Sequence, residues 1–286
     1  MEIINKSKIA CIQCEIKPTF SEAISEADDL CVSAVSDGAQ FLFLPEYCGG
    51  LRSKGGAFVP PVDREEEHPF LIHFKKFARQ KNVWIMIGSI AIAGINGKFF
   101  NRGFVINNLG QIVSRYNKIN LFDVRLNASN FYHESATVMR GNSGCMVKTP
   151  IGDVGHTICY DLRFPILYRK LAQKGAKILA IPSAFTAKTG EAHWHVLNRA
   201  RAIETTSYVV SPCAMGKIEG GGSSYGHSLI IDPWGKVLAD AGSERGYITG
   251  VIDISLVDEV RSKITSLFND NTFDLVSVSV NESVAL

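Results

Sequence analysis

The sequence has no long apolar run, and this absence argues against a membrane-spanning helix. The longest nearly uncharged apolar stretch, over 83–95, contains Gly88 and Gly94 and is shorter than the ~20 residues that cross a bilayer. The opening residues MEIINKSKIA lack the hydrophobic core of a secretion signal. We therefore expect a cytoplasmic protein that has no membrane partner.

The sequence also has little excess of charge of either sign. Lys and Arg number 30 and Asp and Glu number 28, which leaves a formal net charge of +2. No basic stripe emerges, so a nucleic-acid partner is not expected. Linkers, low-complexity tracts and internal repeats are missing from the sequence as well. We expect one domain over 1–286, with a core over about 1–255 and a C-terminal extension over 256–286.

The cysteines form no regular framework. There are seven, an odd number that favours unpaired thiols in a reducing compartment. Cys11 and Cys14 make a C-x-x-C pair, which could indicate redox work or half of a zinc site. They lie in an apolar stretch that predicts a strand, where residues three apart point to opposite faces, and no second pair follows. We interpret both as packing residues and keep a thiol redox protein as an alternative.

Strand and helix signals alternate along the chain. The capping box Thr19-Phe-Ser-Glu22 begins a helical pattern that ends at Gly38, and 41–44 is a wholly apolar strand. Further strands are predicted over 8–16, 83–90, 99–106, 112–116, 144–149, 154–159, 177–181, 225–231 and 236–239, and further helices over 69–81, 165–174 and 190–206. The glycine-rich stretch over 217–224 predicts a mobile surface loop. Helices flanking mixed, hairpin-rich sheets predict an α/β fold, a four-layer αββα sandwich.

Cys159 lies where a strand should end and a helix begin. The apolar run that starts at Val154 stops at the polar residues after Cys159, and Pro165 opens a helical pattern. A thiol at such a junction is held on a rigid strand end, next to the free N–H groups of the following turn. A lone cysteine is more often a small buried hydrophobe, so a catalytic interpretation needs partners.

Two other polar residues follow apolar strands in the same way. Glu46 follows FLFLP, and Lys118 follows the strand that ends at Tyr116. Each alone could be an exposed loop residue. Together with Cys159 they supply what amide hydrolysis by a thiol requires. Glu46 can accept the thiol proton, and Lys118 can stabilise the oxygen of the tetrahedral intermediate together with the N–H of Tyr160.

These segments resemble the nitrilase superfamily of carbon–nitrogen hydrolases. The motifs that contain Glu46, Lys118 and Cys159 occur in the same order as in the family: LPEYCGG, RYNKINLFD and GHTICYDLRFP. Further segments that match the family are FYHESATVMRGN, PSAFTAKTGEAHWHVLNRARAIE and SYGHSLIIDPWGKV. The resemblance implies the αββα sandwich, a Glu46–Lys118–Cys159 triad, a thioester intermediate, and neither metal nor cofactor. It also implies a homodimer or larger homo-oligomer in which helices near the active site pack across a two-fold axis.

The resemblance assigns roles to two further charged residues. Glu134 in YHES matches the family's second acid and is expected to position Lys118, the alternative being a loop-capping acid. Arg163 falls where relatives that act on carboxylate-bearing substrates place an arginine. Its guanidinium suits bidentate carboxylate binding, and an ion pair with Asp161 or another structural acid is the alternative.

The pocket walls are predicted from PSAFT. Phe185 and Thr186 follow a strand end there and are expected to line the substrate pocket, with packing as the alternative for Phe185. No metal site is predicted. The following histidines are expected to have surface, interface or structural roles: His133, His193, His195 and His227.

The motifs YDLRFP, FTAKTGEAHWHVL and YGHS with DPWG are most similar to the branch that contains deaminated glutathione amidase and omega-amidase. Ala214 and the stretch over 220–224 depart from that branch and are expected to border the substrate. The predicted function is hydrolysis of a linear amide in a small carboxylate-containing molecule, which releases ammonia. A carbamoyl-amide or nitrile hydrolase and a non-catalytic scaffold of the same fold are the alternatives.

Overall fold

The computed structural model describes residues 6–55, 57–125 and 131–277. The strands in this part of the chain are β1 (Lys6–Gln13), β2 (Phe41–Phe43), β3 (Arg52–Lys54), β4 (Ala57–Val59), β5 (Trp84–Ala93), β6 (Phe99–Ile106), β7 (Ile112–Asn117), β8 (Asp123–Arg125), β9 (Phe131–His133), β10 (Cys145–Thr149), β11 (Gly152–His156), β12 (Ile178–Ala180), β13 (Tyr208–Ser211), β14 (Met215–Lys217), β15 (Ser223–Tyr225), β16 (Leu229–Ile231), β17 (Val237–Asp240) and β18 (Gly246–Asp253). The helices are α1 (Phe20–Ser36), α2 (Pro69–Lys81), α3 (Pro165–Gln173), α4 (Ala187–Thr205) and α5 (Ile254–Lys263), with 3-10 turns at Glu134–Ala136, Cys159–Arg163 and Ser266–Phe268.

Two mixed sheets pack face to face at the centre of the molecule. Their strand orders are β18-β1-β2-β5-β6-β7 and β10-β11-β12-β13-β16-β17. Parallel pairs occupy the middle of each sheet, and antiparallel pairs lie on both sides of them. Helices α1 and α2 cover the first sheet, and α3 and α4 cover the second. The predicted four-layer αββα sandwich is confirmed.

Alternation along β1 decides which layer each of its residues joins. Ile9 and Cys11 pack between the two sheets, whereas Ala10 and Ile12 pack beneath the helices. Cys14 joins the helix side, so the two cysteines of the C-x-x-C pair lie on opposite faces. Burial raises the pKa of both thiols, that of Cys14 to about 12. The packing interpretation of this pair is confirmed.

The predicted bounds hold for some elements, and the differences have local causes. Helix α2 and strand β6 have the predicted bounds, whereas α4 begins three residues before the predicted start at Gly190. Gly190 lies inside the helix, and glycine is needed there because a Cβ would be 2.4 Å from the Tyr225 ring. The strand predicted over 154–159 ends at His156, and a 3-10 turn begins at Cys159.

The glycine-rich stretch over 217–224 is not the irregular surface loop that the sequence predicts. It forms the end of a hairpin between β14 and β15, and this hairpin rests on β3. The N–H of Ser53 donates to the Glu219 carbonyl at 2.7 Å. A Cβ on Gly220 would be 1.7 Å from the Ser53 carbonyl oxygen, so the close approach of the two backbones requires glycine here.

The strand predicted over 225–231 is divided into β15 and β16. Gly226 and His227 lie between them with left-handed backbones, at φ of 75° and 53°. Glycine adopts this conformation freely, and histidine adopts it uncommonly. The turn takes β15 out of the second sheet and into the hairpin with β14.

Two strands that the sequence analysis missed complete the sheets. Strand β18 pairs antiparallel with the whole of β1, and β13 lies between β12 and β16. Most residues of β18 are half-buried, so its hydrophobic alternation is weak and backbone pairing defines it.

The last helix, α5, crosses the predicted boundary between residues 255 and 256. Asp253 caps it by accepting a hydrogen bond from the Ser255 N–H at 3.1 Å. Val257 and Val260 are fully buried. The division into a core and an extension stays a prediction, and the end of the extension, over 278–286, lies outside the described residues.

Within the described ranges, no helix combines the length and apolarity that crossing a membrane would require.

Candidate active site

Glu46, Lys118 and Cys159 line one cavity at an edge of the sandwich. Glu46 follows β2 at a distance of three residues, Lys118 comes directly after β7, and Cys159 lies three residues after β11. The fold thus brings together the three residues that the sequence analysis selected from separate strand ends. Each of the three is at least nine-tenths buried.

Lys118 is a buried cation held between two buried carboxylates. Its Nζ donates to Oε1 of Glu46 at 2.8 Å and to Oε1 of Glu134 at 3.1 Å. Burial lowers the pKa of Lys118, but the charges of Glu134 and Glu46 outweigh this effect and hold the pKa well above its usual value. Lys118 is therefore a fixed positive charge in the cavity wall.

Two residues that the sequence analysis missed hold the carboxylates in place. Asn101 Nδ2 donates to Oε1 of Glu46 at 2.9 Å and to Oε1 of Glu134 at 3.1 Å, and the Tyr47 hydroxyl donates to the latter oxygen at 3.1 Å. A signal for Asn101 was present in FFNRGFVI, where an amide interrupts a largely buried strand. Such a group needs partners, because an unpaired buried amide is costly.

Backbone amides hold the second oxygen of each carboxylate. Oε2 of Glu134 accepts from the N–H of Phe122 at 2.6 Å, and Oε2 of Glu46 accepts from the N–H of Ala184 at 2.9 Å. Both side chains are therefore fixed at both oxygens. Such a preorganised arrangement needs little rearrangement during a reaction.

Cys159 starts the 3-10 turn with a left-handed backbone, at φ of 49°. This conformation is uncommon for a residue with a side chain and occurs often at functional sites. Burial raises the pKa of the Cys159 thiol well above its usual value, and the charge of Glu46 adds to this while Lys118 opposes it. The resting thiol is therefore protonated at neutral pH, and its proton must leave as the sulfur attacks.

The N–H of Tyr160 differs from those on either side of it. The Cys159 N–H donates to the Pro182 carbonyl at 2.9 Å, and the Asp161 N–H donates to the Ile158 carbonyl at 3.1 Å. Among the described residues, none accepts a hydrogen bond from the Tyr160 N–H. This donor, next to the thiol, is free for an oxygen of a bound molecule.

Asp161 fixes the turn and does not pair with Arg163. Its carboxylate accepts from the Ile158 N–H at 2.9 Å, from the Tyr116 hydroxyl at 2.7 Å, and from both the backbone and the side-chain amide of Asn120 at 3.0 and 2.8 Å. These four donors occupy both carboxylate oxygens. The alternative of an Asp161–Arg163 ion pair is wrong.

Arg163 packs behind an aromatic wall of the cavity. Its guanidinium carbon lies 5.4 Å from the Phe185 ring centre and 5.8 Å from that of Tyr160. Its Nη2 is 3.3 Å from Nδ1 of His193. Arg163 is not among the described residues that line the cavity, although its charge lies directly behind two that do.

Known proteins are similar to this chain over most of its length. Residues 8–262 match the family model for carbon-nitrogen hydrolases. The chain belongs to the carbon–nitrogen hydrolase family. A deaminated glutathione amidase of Synechocystis sp. is 39% identical over 265 residues, which cover 90% of this chain and 96% of that protein. The probable hydrolase nit2 of Schizosaccharomyces pombe is 36% identical over 255 residues, which cover 87% of this chain and 92% of that protein.

A solved structure has a fold similar to that of this carbon–nitrogen hydrolase. The Caenorhabditis elegans NitFhit protein superposes with a TM-score of 0.85 at 30% identity. The match covers 94% of this chain and 66% of that longer one. The similarity therefore extends over nearly the whole αββα sandwich.

The remaining cavity lining of this carbon–nitrogen hydrolase is largely apolar, with several hydroxyl groups. Phe185 and Thr186 line the cavity, as the sequence predicts, and Phe185 also packs on Trp194 at 5.1 Å between ring centres. The other side chains of the lining include Leu51, Ser53, Phe58, Phe122, Tyr132, Thr189, Ile218 and Ser223.

The two departures from the family branch have different places in the structure. The stretch over 220–224 reaches the cavity through Gly221, Gly222 and Ser223. Ala214 does not reach it and is buried in a separate apolar cluster beside Tyr47. The hairpin end is thus the departure that contacts the space where a substrate would lie.

Gly88 lies between the segments that carry Glu46 and Cys159. A Cβ at this position would be 2.2 Å from the Leu44 carbonyl oxygen and 2.4 Å from Cβ of Pro182. The carbonyl of Pro182 accepts the Cys159 N–H, and Leu44 is two residues before Glu46. The close approach of these backbones to β5 therefore depends on glycine.

We expect Gly88→Ala to destabilise the protein by roughly 3 kcal/mol, the upper end of the usual cost of overpacking. The matched control is Gly246→Ala, whose added Cβ would meet no described atom within 4 Å. Urea unfolding of both variants measures the difference. Equal unfolding midpoints for the two variants would contradict the close packing at Gly88.

Proposed function

We propose that this carbon–nitrogen hydrolase cleaves a linear amide of a small carboxylate-containing molecule to acid and ammonia through a thioester on Cys159. The observation that carries this proposal is the buried Lys118, held between Glu46 and Glu134 beside the thiol. The name of the Synechocystis relative, a deaminated glutathione amidase, supports a linear amide as substrate.

The first half-reaction forms the thioester. The Cys159 sulfur attacks the amide carbon as Glu46 takes the thiol proton. The negative oxygen of the tetrahedral intermediate accepts hydrogen bonds from Lys118 Nζ and the Tyr160 N–H. The carbon–nitrogen bond then breaks, the nitrogen receives the proton from Glu46, and ammonia leaves.

The second half-reaction consumes one water. Glu46 takes a proton from that water as its oxygen attacks the thioester carbon, and the same two donors stabilise the second intermediate. The carbon–sulfur bond breaks, the proton returns to Cys159, and the acid leaves. In this scheme Glu134 is a positioning residue, because it holds Lys118, Asn101 and Tyr47 together through one carboxylate oxygen.

A screen of ammonia release tests this function and its alternatives. The purified chain is incubated with omega-amides, deaminated peptide amides, carbamoyl compounds and nitriles. We expect release from the first two classes. Preference for carbamoyl compounds or nitriles would favour those hydrolases, and release from none of the four would favour a non-catalytic scaffold.

Arg163 is proposed to attract the substrate carboxylate. Because Arg163 lies behind Tyr160 and Phe185, this attraction acts through its charge and not through a direct hydrogen bond. Arg163→Gln should therefore weaken selection for an acid over its methyl ester by about 1 kcal/mol, the scale of one screened interaction between two charges. Measuring kcat/KM for a matched acid and ester on both proteins checks this. The control is Arg169→Gln, because Arg169 pairs with Asp270. An unchanged ratio would mean that Arg163 only supports the aromatic wall.

We also propose a cytoplasmic homo-oligomer. The seven cysteines are unpaired, as is usual in a reducing compartment. Ile166 on α3 and Val196 on α4 are each 68% exposed. Both helices lie next to the turn that carries Cys159, and the family resemblance implies that helices near the active site form the two-fold interface. Sedimentation of the purified chain distinguishes a monomer from a dimer or larger assembly.

A further inference from the structure

Three potential metal ligands meet outside the active site, where α4 passes the end of β17. Nε2 of His195 lies 2.9 Å from Oδ2 of Asp240, and Nδ1 of His227 lies 3.0 and 3.2 Å from the two oxygens of the same carboxylate. The ligand atoms of all three residues lie within 4.8 Å of one another. The sequence analysis predicted no metal site, and these residues are far apart in the sequence, on α4, between β15 and β16, and at the end of β17.

The distances from the two ring nitrogens to the Asp240 carboxylate are close to those between neighbouring ligand atoms around a tetrahedral zinc ion. Metal–ligand bonds of about 2.0–2.1 Å place neighbouring ligand atoms roughly 3.3 Å apart. The distances to Asp240 are within a few tenths of an ångström of this value, so small side-chain shifts would admit an ion. Imidazole and carboxylate are ligands that suit zinc and its first-row neighbours.

Surrounding contacts hold two of the three ligands, Asp240 and His227, in place. The Gly242 N–H donates to Oδ1 of Asp240 at 2.9 Å, and the indole N–H of Trp194 donates to the His227 carbonyl at 2.7 Å. The His227 ring stacks on Tyr225 at 4.5 Å between centres. Such outer contacts orient ligands at metal sites.

The cluster is also accessible and favourable for a cation. The side chains of His195, His227 and Asp240 are 34, 27 and 33% exposed, so an ion can enter from solvent. Two neutral imidazoles and one carboxylate carry a charge of −1. Glu191 and Arg199, one helical turn before and after His195, lie on the same side of α4 and carry opposite charges.

The geometry points to a zinc site formed by His195, His227 and Asp240, with a fourth position open to water. Without metal, each ring nitrogen that faces Asp240 carries the proton of its hydrogen bond to the carboxylate. When the ion binds, that nitrogen would be unprotonated and the proton of each ring would lie on its other nitrogen. The ion would join α4 to the β16–β17 hairpin. Its role would be to stabilise the fold, since Cys159 lies in the separate cavity.

Metal binding to the full chain tests this site. The protein is freed of metal with a chelator, and Zn²⁺ is then titrated in equilibrium dialysis. We expect one ion per chain at micromolar or lower concentration. Asp240→Asn and His195→Gln should each weaken binding at least ~10-fold, since changing even an outer contact of a metal site costs this much. Zn²⁺ should raise the thermal unfolding midpoint of the parent and leave that of Asp240→Asn unchanged.

Controls separate this site from other histidines and from the thiols. His133→Gln is the matched control, because His133 lies 3.7 Å from Asp123 outside the cluster, and it should bind as the parent does. His227→Asn is the variant of the third ligand, since asparagine tolerates a left-handed backbone. Co²⁺ should bind without a thiolate charge-transfer band. The absence of stoichiometric binding up to about 100 μM, or equal binding by the parent and all the ligand variants, would overturn the proposal.

Discussion

Cys159→Ala should abolish amide hydrolysis and leave the fold intact. Removal of the sulfur eliminates the covalent path, so we expect kcat to fall by at least ~10⁴-fold. Substrate binding and the oxyanion donors should account for the small activity that remains. The fold should persist because alanine fits the space and the Cys159 N–H still donates to Pro182. Ammonia release measures the activity, and circular dichroism checks the fold.

Cys145→Ala is the control for this experiment. Cys145 is half-buried on β10, away from the cavity lining, and its replacement should leave kcat unchanged. Mass spectrometry of the parent during turnover should find the acyl group on Cys159. Activity of Cys159→Ala within a few-fold of the parent would contradict the thioester mechanism.

Glu46→Gln should lower kcat by at least ~100-fold. The buried thiol of Cys159 is protonated at rest because burial raises its pKa, so attack requires a base beside it. Glutamine keeps the shape and the hydrogen bond from Ala184 but cannot accept the proton. Steady-state kinetics over a range of substrate concentrations measures kcat and KM separately, and a change confined to KM would mean that Glu46 only binds substrate.

Glu134→Gln is the matched variant for Glu46→Gln. It removes a carboxylate charge from the same Lys118 ammonium, at a similar distance, and leaves the proposed base in place. We expect a clearly smaller loss of kcat. Equal losses would show that the charge balance around Lys118, and not proton transfer by Glu46, explains the effect.

The sequence predicted the sandwich and the main site because both depend on local patterns. Buried strands are apolar runs, and a polar residue directly after such a run is conspicuous. Glu46, Lys118 and Cys159 could be found in this way. Helix α2 could be predicted with its bounds because Pro69 and an amphipathic pattern mark it.

The rest depends on contacts between distant residues. Tyr47 follows Glu46 within LPEYCGG and Asn101 interrupts a buried strand, but no spacing in the sequence shows that either side chain contacts Glu134. Strand β18 pairs with β1 across most of the chain, and its half-buried residues alternate weakly. The meeting of His195 with Asp240 likewise requires the packing of a helix against a hairpin, which no local pattern encodes.

The pairing of one ammonium with two carboxylates also bears on how product leaves. Glu46, Glu134 and Lys118 together carry one net negative charge, and they are almost fully buried. In the proposed reaction an uncharged amide group lies beside this charge, and it is converted to an acid group that becomes a carboxylate when it loses its proton. Like charges repel strongly where water is excluded, so the acid is held less tightly than the amide that produced it. The electrostatics of the resting site therefore favour turnover over product inhibition.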